Sequence, residues 1–157
     1  MVMGLARLRS YRAEDFSRLC EIDHRCFEAG TAYSQQEMAA LVGSPAAVLL
    51  VADTAGGRIA GFVLAHRRRL GGAHLITLDV LPSWRRRGLG RRLLLACERR
   101  LRGAGVRTVW LETALSNAPA QSLYASLGYT RVRRLPQYYP NGEDAWRMRK
   151  DLRPQMR

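Results

Sequence analysis

Apolar positions recur at three- and four-residue steps from Ala13 to Phe27, where Phe16, Leu19, Cys20, Cys26 and Phe27 share one side with a single polar residue, Asp23. That spacing predicts an amphipathic helix. A second, shorter helix is expected to start at Ser34 and end near Gly43, because Ser34 and Glu37 have the capping-box separation in which each side chain satisfies the other's backbone N–H. Three runs then read as strands, Ala47 to Ala52, Arg58 to Arg68 and His74 to Leu81, divided by Gly56-Gly57 and Gly71-Gly72 into an antiparallel meander. Helical periodicity returns from Gly88 to Arg102, with Leu89, Leu93, Leu94, Cys97 and Leu101 on one side and Arg91, Arg92, Arg99, Arg100 and Arg102 largely on the other. Val106 to Thr113 is a strand candidate. Asn117 can cap a further helix, Pro119 suits its first turn, and Gly128 closes it. Two last strands, Tyr129 to Leu135 and Asp144 to Leu152, flank a loop bearing Tyr138, Tyr139, Pro140, Asn141 and Gly142.

The element order is one α or β element, then α-α-β-β-β-α-β-α-β-β: an α+β or mixed α/β architecture in which helices cover a sheet. With no internal repeat or linker, residues 1–157 are expected to form one domain. The longest unbroken apolar run, Ala46 to Ala52, is seven residues, far short of the roughly 20 that span a bilayer. The first ten residues place Arg7 and Arg9 among small apolar ones and lack an export signal's apolar stretch, so a cytoplasmic location is expected. Cys20, Cys26 and Cys97 are odd in number and have no paired metal-ligand spacing, which indicates neither a disulfide framework nor a metal site.

Composition adds one anomaly. The formal net charge is +13, from 26 basic and 13 acidic residues, and Lys150 is the only lysine. A biased coding composition and a solvated surface account for much of that excess. Such a field also attracts polyanions, whether coenzyme phosphates, ribosomal RNA or an acidic peptide, and charge alone does not choose among them.

The sharpest local signal is the apolar strand Leu75-Ile76-Thr77-Leu78-Asp79-Val80-Leu81, stopped by Pro82 and followed by Arg85-Arg86-Arg87-Gly88-Leu89-Gly90 and a helix. Two glycines before a helix start let backbone N–H groups approach a phosphate, and the helix end adds partial positive charge. No Lys-Ser or Lys-Thr follows Gly90, so this is not a nucleoside-triphosphate loop, and no third glycine completes a dinucleotide fingerprint. By itself the hexapeptide reads equally well as a tight turn with solvated arginines.

Arg85-x-x-Gly88-x-Gly90 after a Val-x-Pro strand end resembles the acetyl-coenzyme A signature of the GNAT superfamily of N-acetyltransferases. Asn117-x-x-Ala120-x-x-x-Tyr124, continued by Leu127-Gly128-Tyr129, is similar to a second motif of that superfamily. More narrowly, Trp110-Leu111-Glu112-Thr113, Ser116-Asn117, Leu123-Tyr124 and the stretch Tyr138-Tyr139-Pro140-Asn141-Gly142-Glu143-Asp144-Ala145 resemble the protein N-terminal alanine acetyltransferases that modify a ribosomal protein. One segment departs: residues 28–34 lack that group's Pro-Trp-Ser. The resemblance implies a GNAT fold with a mostly antiparallel, mixed seven-stranded sheet flanked by about four helices. It also implies acetyl-coenzyme A as cosubstrate, held by Leu78, Val80, Arg85, Arg86, Arg87, Gly88, Leu89, Gly90, Asn117 and Tyr124.

An amine attacks a thioester only when neutral, and an α-amine with a pKa of about 7.7 to 8.0 is far more often neutral at pH 7 than lysine at about 10.4. A carboxylate at a strand end is the base such a reaction wants, and Glu112 stands there, with burial expected to raise its pKa. By resemblance Glu112 is the general base, Tyr124 the proton donor to the departing thiolate, and a backbone N–H near Val80 the oxyanion donor. The same resemblance places Tyr33, Tyr138, Tyr139 and Glu143 at the acceptor mouth. His24 and Asp23 are assigned structural roles. The leading expectation is acetyl transfer to a protein N-terminal amine, with ribosome association and either a monomer or a homodimer. A small-molecule amine acetyltransferase and a silent RNA-binding module are the alternatives; no DNA-recognition helix or membrane contact is indicated.

Overall fold

The computed structural model describes residues 5–27 and 31–152. Residues 28–30 of the departing segment, and the first four of the N-terminal stretch, lie outside them. Strands β1 (Arg7–Ser10), β2 (Ala47–Asp53), β3 (Ile59–Arg67), β4 (Gly72–Val80), β5 (Thr108–Ala114), β6 (Thr130–Leu135) and β7 (Ala145–Asp151) build one sheet with the order β1-β2-β3-β4-β5-β7-β6. Helices α1 (Phe16–Cys26), α2 (Gln35–Val42), α3 (Leu89–Gly103) and α4 (Ala118–Ser126) cover it. This is the α/β architecture read from the chain. The undecided first element is a strand, and β7 inserts between β5 and β6.

The capping box forms as expected: Ser34 Oγ accepts from Glu37 N and Glu37 Oε1 accepts from Ser34 N, each at 3.0 Å. Helix α1 departs from expectation. Its first turn, Ala13–Asp15, is a 3-10 turn, because Asp15 turns back to accept from Arg12 N at 2.8 Å and from the Arg9 guanidinium at 2.9 and 3.0 Å. Strand β3 is buried along nearly its whole length because helices lie on both faces of the sheet there. One core joins Val63, Leu75, Leu93, Leu94, Leu101, Leu111 and Met148 beneath α3 and α4; the other joins Leu19, Ile22, Met38, Val51, Phe62 and Leu64 beneath α1 and α2. Within the first core a carboxylate, Glu98, is fully buried, paired with Lys150 Nζ at 2.6 Å and accepting from the Tyr129 hydroxyl at 2.9 Å.

One irregularity creates the cleft. Leu64 faces Thr77 and Ala65 faces Leu75, leaving Ile76 as an extra residue in β4. Such a bulge bends a strand and increases its twist. It also shifts the alternation of side chains: Ala73 and Leu75 before it and Leu78 and Val80 after it all face the α3 core, while Ile76 packs against the α1 core. Strand β4 pairs in parallel with β5 only at Gly72–Thr108, Ala73–Val109 and His74–Trp110. Beyond that register the two strands continue to Val80 and Ala114 without pairing. The sheet therefore opens between its two central strands.

Candidate active site

One side of the opening is the turn that leads into α3. Pro82–Trp84 forms a 3-10 turn, Arg85 Nε reaches back to the Val80 carbonyl at 3.0 Å, and the Arg87 guanidinium lies 5.0 Å from the Trp84 ring centre. Gly88 has φ of +77°, which glycine adopts without the strain a side chain brings, and a Cβ there would meet nothing within 4 Å. Arg86 takes φ of +64° despite its side chain. Among the described residues, no backbone carbonyl takes the N–H groups of Arg86 through Arg91; the first engaged is Arg92 N, on Gly88 O at 3.0 Å. Unengaged donors at the start of a 15-residue helix fit a diphosphate.

Leu78 and Val80 point from β4 toward this turn: a Cβ at Gly90 would lie 3.7 Å from Val80 Cγ2, 3.9 Å from Leu78 Cδ2 and 3.4 Å from Leu123 Cδ2 on α4. Leu89 is buried in the adjoining core and serves packing. Asn117 caps α4 as expected, its Oδ1 accepting from Ala120 N at 3.2 Å. Tyr124 follows on that helix, buried edge-on against Tyr129 with ring centres 5.8 Å apart. Burial, with the Asp79 carboxyl nearby, pushes its phenol well above the usual range.

The opposite side carries a second cluster. Glu112 on β5 has a side chain only 5% exposed, and its Oε1 accepts from His74 Nε2 and from the Tyr138 hydroxyl, both at 2.8 Å. Its other oxygen, Oε2, lies 3.8 Å from Arg147 Nε, and neither atom has a hydrogen-bond partner among the described residues. The expected upward pKa shift is corrected here. Burial does push the Glu112 carboxyl upward, but the His74 and Tyr138 hydrogen bonds and the Arg147 charge outweigh it, and the net shift is downward. Tyr139 lies edge-on to Tyr138 at 5.0 Å, its phenol pushed up to about 12 by burial and then by Glu112. Tyr33 lies in the field of four carboxyls, its phenol pushed up to about 12 by burial and then by Asp23, Asp79, Glu112 and Glu37. Tyr138 and Tyr139 thus adjoin Glu112, and Tyr33 lies within its electrostatic reach; His74 and Arg147 were not singled out in the sequence.

A third group also escaped the sequence reading. Asp79 on β4 and Asp23 on α1 are 1% and 0% exposed, and their carboxyls lie close enough to act on each other. Thr77 Oγ1 donates to Asp79 Oδ1, and Tyr33 N donates to Asp23 Oδ2 at 2.8 Å. Asp79 Oδ2 and Asp23 Oδ1 have no hydrogen-bond partner among the described residues. Two buried carboxylates in contact do not both stay charged, so the pair holds one proton between them. Burial and the Asp23 charge accordingly hold Asp79 well above the usual carboxylate range. Asp23 was read as structural, and it does brace the chain: through Tyr33 N, and through His24 Nε2 donating to Tyr33 O at 3.0 Å, α1 secures the start of the Tyr33 segment.

The sheet is thus parted between β4 and β5, with the unengaged N–H groups ahead of α3 on one side and a buried carboxylate on the other. The chain belongs to the acetyltransferase (GNAT) family, whose profile matches residues 16–129. Among similar proteins, the ribosomal protein bS18-alanine N-acetyltransferase of Salmonella typhimurium is 41% identical over 90 residues, covering 57% of this chain and 60% of that protein. An N-alpha-acetyltransferase of Sulfurisphaera tokodaii is 40% identical over 76 residues, covering 48% of this chain and 46% of its own. The chain thus matches about half to three fifths of the length of these relatives. The crystal structure of the Escherichia coli ribosomal-protein-S18-alanine N-acetyltransferase superposes with a TM-score of 0.86 at 29% identity, covering 97% of each chain.

Proposed function

We propose that this protein transfers acetyl from acetyl-coenzyme A to the α-amine of a protein N-terminus, a ribosomal protein being the leading candidate. The observation that carries the reading is the parting of β4 and β5 beyond His74 and Trp110, between the unengaged N–H groups ahead of α3 and the free oxygen of Glu112.

Acetyl-coenzyme A supplies the activated thioester. In this reading Arg86 to Gly90 hold its diphosphate through backbone donors, with Arg85 and Arg87 adding charge and Leu78, Val80, Asn117 and Tyr124 lining the arm that leads to the thioester. Glu112 is acceptor-only, and with Oε1 occupied by two donors it offers Oε2 to the incoming amine. Its lowered pKa makes it a weak base, so it orients the neutral amine and takes the proton as the nitrogen lone pair commits to carbon. An α-amine needs no more than that, because its deprotonation at pH 7 costs about 1 kcal/mol, some 3 to 4 kcal/mol less than lysine's. Tyr124, kept protonated by burial, gives its proton to the departing thiolate. Tyr33, Tyr138 and Tyr139 flank the acceptor. The +13 charge supports work beside an RNA-rich particle such as the ribosome.

Incubation of the chain with acetyl-coenzyme A and a short alanine-initiated peptide tests this by mass spectrometry. Acetylation of the peptide α-amine is expected; activity confined to a small-molecule amine refutes it.

A further inference from the structure

Beside Glu112 the sheet surface is strongly biased in charge. Cross-strand partners share a face of a sheet, so the register groups Trp110, Glu112 and Ala114 of β5 with Arg149, Arg147 and Ala145 of β7 and with Thr130, Arg133 and Leu135 of β6. Between these registers the face carries three guanidiniums and one carboxylate, Glu112 itself. Among the described residues, helices α1 and α2 pack mainly over β2, β3 and β4, away from this end of the sheet. Arg133 and Arg149 are exposed, and Arg147 is 40% exposed with its Nε aimed at Glu112. Arg149 is held 5.3 Å over the Trp110 ring, which fixes its position in a way a freely solvated arginine lacks.

Distances set what the strip can read. Adjacent strands lie about 4.8 Å apart and alternate residues about 6.7 Å apart along a strand. The three arginines therefore fall within about 5 to 12 Å of Glu112, the reach of the second to fifth residues of an extended chain at about 3.3 Å per residue. A strip one or two side chains wide, adjoining the amine's own site, matches a peptide's side chains better than the broad phosphate spacing of a nucleic acid.

We propose, resting on the N-terminal acetyltransferase reading above, that Arg133, Arg147 and Arg149 recognise carboxylate side chains just after the acceptor's first residue, so that acidic N-terminal segments are preferred. Each guanidinium offers paired donors to a carboxylate. The attraction is that of partly exposed charges and is therefore sensitive to salt.

The test uses the full chain, acetyl-coenzyme A and three alanine-initiated peptides whose residues two to five are glutamate, glutamine or lysine. The expected kcat/KM is at least about tenfold higher for the glutamate than for the lysine peptide at low salt, with the ratio closing toward one at 1 M salt, where screening acts within about 3 Å. The double charge reversal R133E/R149E should invert the ratio, whereas R58E/R99E, an equal change of charge away from this face, should preserve it. A wild-type ratio near one, a preference for lysine, or an equal response to both double variants overturns the proposal. Loss of binding to single-stranded RNA, or of a dimer measured by light scattering, in R133E/R149E with an unmoved peptide ratio also overturns it and assigns the strip elsewhere. If the glutamine peptide is acetylated without regard to charge, only this inference falls; if no peptide is acetylated, the N-terminal acetyltransferase reading falls with it.

Discussion

Asparagine at position 79 replaces the protonated member of the Asp23–Asp79 pair with a permanent hydrogen-bond donor of the same shape. In D79N the amide oxygen can accept from Thr77 Oγ1 and Nδ2 can donate to Asp23 Oδ1, so every contact of the wild-type pair survives. D23N is the mirror case, its oxygen accepting from Tyr33 N and its Nδ2 facing Asp79. In the double variant Thr77 and Tyr33 dictate both amide orientations, which sets one Nδ2 against the other. Each buried donor left unpaired costs about 1 to 3 kcal/mol, so the double variant should lose about 2 to 6 kcal/mol while each single variant stays within about 1 kcal/mol of wild type. The pH dependence carries a sign. Because Asp79 is raised in the folded state, the folded chain holds more protons than the unfolded chain at every pH between the unfolded carboxyl value of about 3.9 and the raised one. Wild-type stability should therefore fall as pH rises through that window, and D79N should remove that slope. Thr77, Tyr33, Cys26 and Arg85, which also face the pair, are unchanged in the comparison. Urea denaturation followed by circular dichroism from pH 4.5 to 8 measures both effects. Single variants that each lose several kcal/mol and add in the double, or a slope that persists in D79N, would refute the shared proton.

For Glu112→Gln, kcat/KM at pH 7 should drop by about 10²- to 10⁴-fold and recover in part as pH rises toward the acceptor's own pKa of about 7.7 to 8.0; a pH profile parallel to wild type removes Glu112 from the chemistry. Since the Glu112 carboxyl is held low, the acid limb that it contributes to wild-type kcat/KM should lie below the usual carboxylate range. Gly90→Trp fills the space between Val80, Leu78 and Leu123, and should abolish the rise in Tm that coenzyme A gives wild type; an undiminished rise contradicts the assigned cleft. Gly61→Ala places a Cβ 2.6 Å from the Asp79 carbonyl and should lower stability by about 1 to 3 kcal/mol in chemical denaturation. Lys150→Met leaves Glu98 buried without its cation, a loss of about 3 to 5 kcal/mol by the same assay, reduced if Glu98 is also changed to Gln.

Local rules made much of the fold legible. The Ser34–Glu37 box, the Asn117 cap and the leucine stripe of α3 are short-range patterns, and each forms where its spacing put it. Boundaries moved by one or two residues where tertiary pairing took over, as at β4, which begins at Gly72, and at β5, which begins at Thr108. The insertion of β7 beside β5 and the bulge at Ile76 depend on partners far along the chain, and no local spacing encodes them. The same holds for the site. The turn before α3 is contiguous and could be read, whereas His74 meets Glu112 across 38 positions and Asp23 meets Asp79 across a comparable gap. Misjudging the direction of the Glu112 shift has that origin: burial of a strand-end carboxylate is guessable, but its two hydrogen-bond donors come from other elements.

The ion pair between Lys150 and Glu98 gives this protein an unusual chemical silence. Its sole ε-amino group, with a side chain only 16% exposed, is consumed in holding a buried charge. No free lysine among these 157 residues competes with an acceptor for activated acetyl groups, nor offers a handle to amine-directed dyes and crosslinkers. Labelling at Lys150 would in consequence act as a tell-tale for β7 peeling away from α3, reporting breathing of the sheet without any engineered probe.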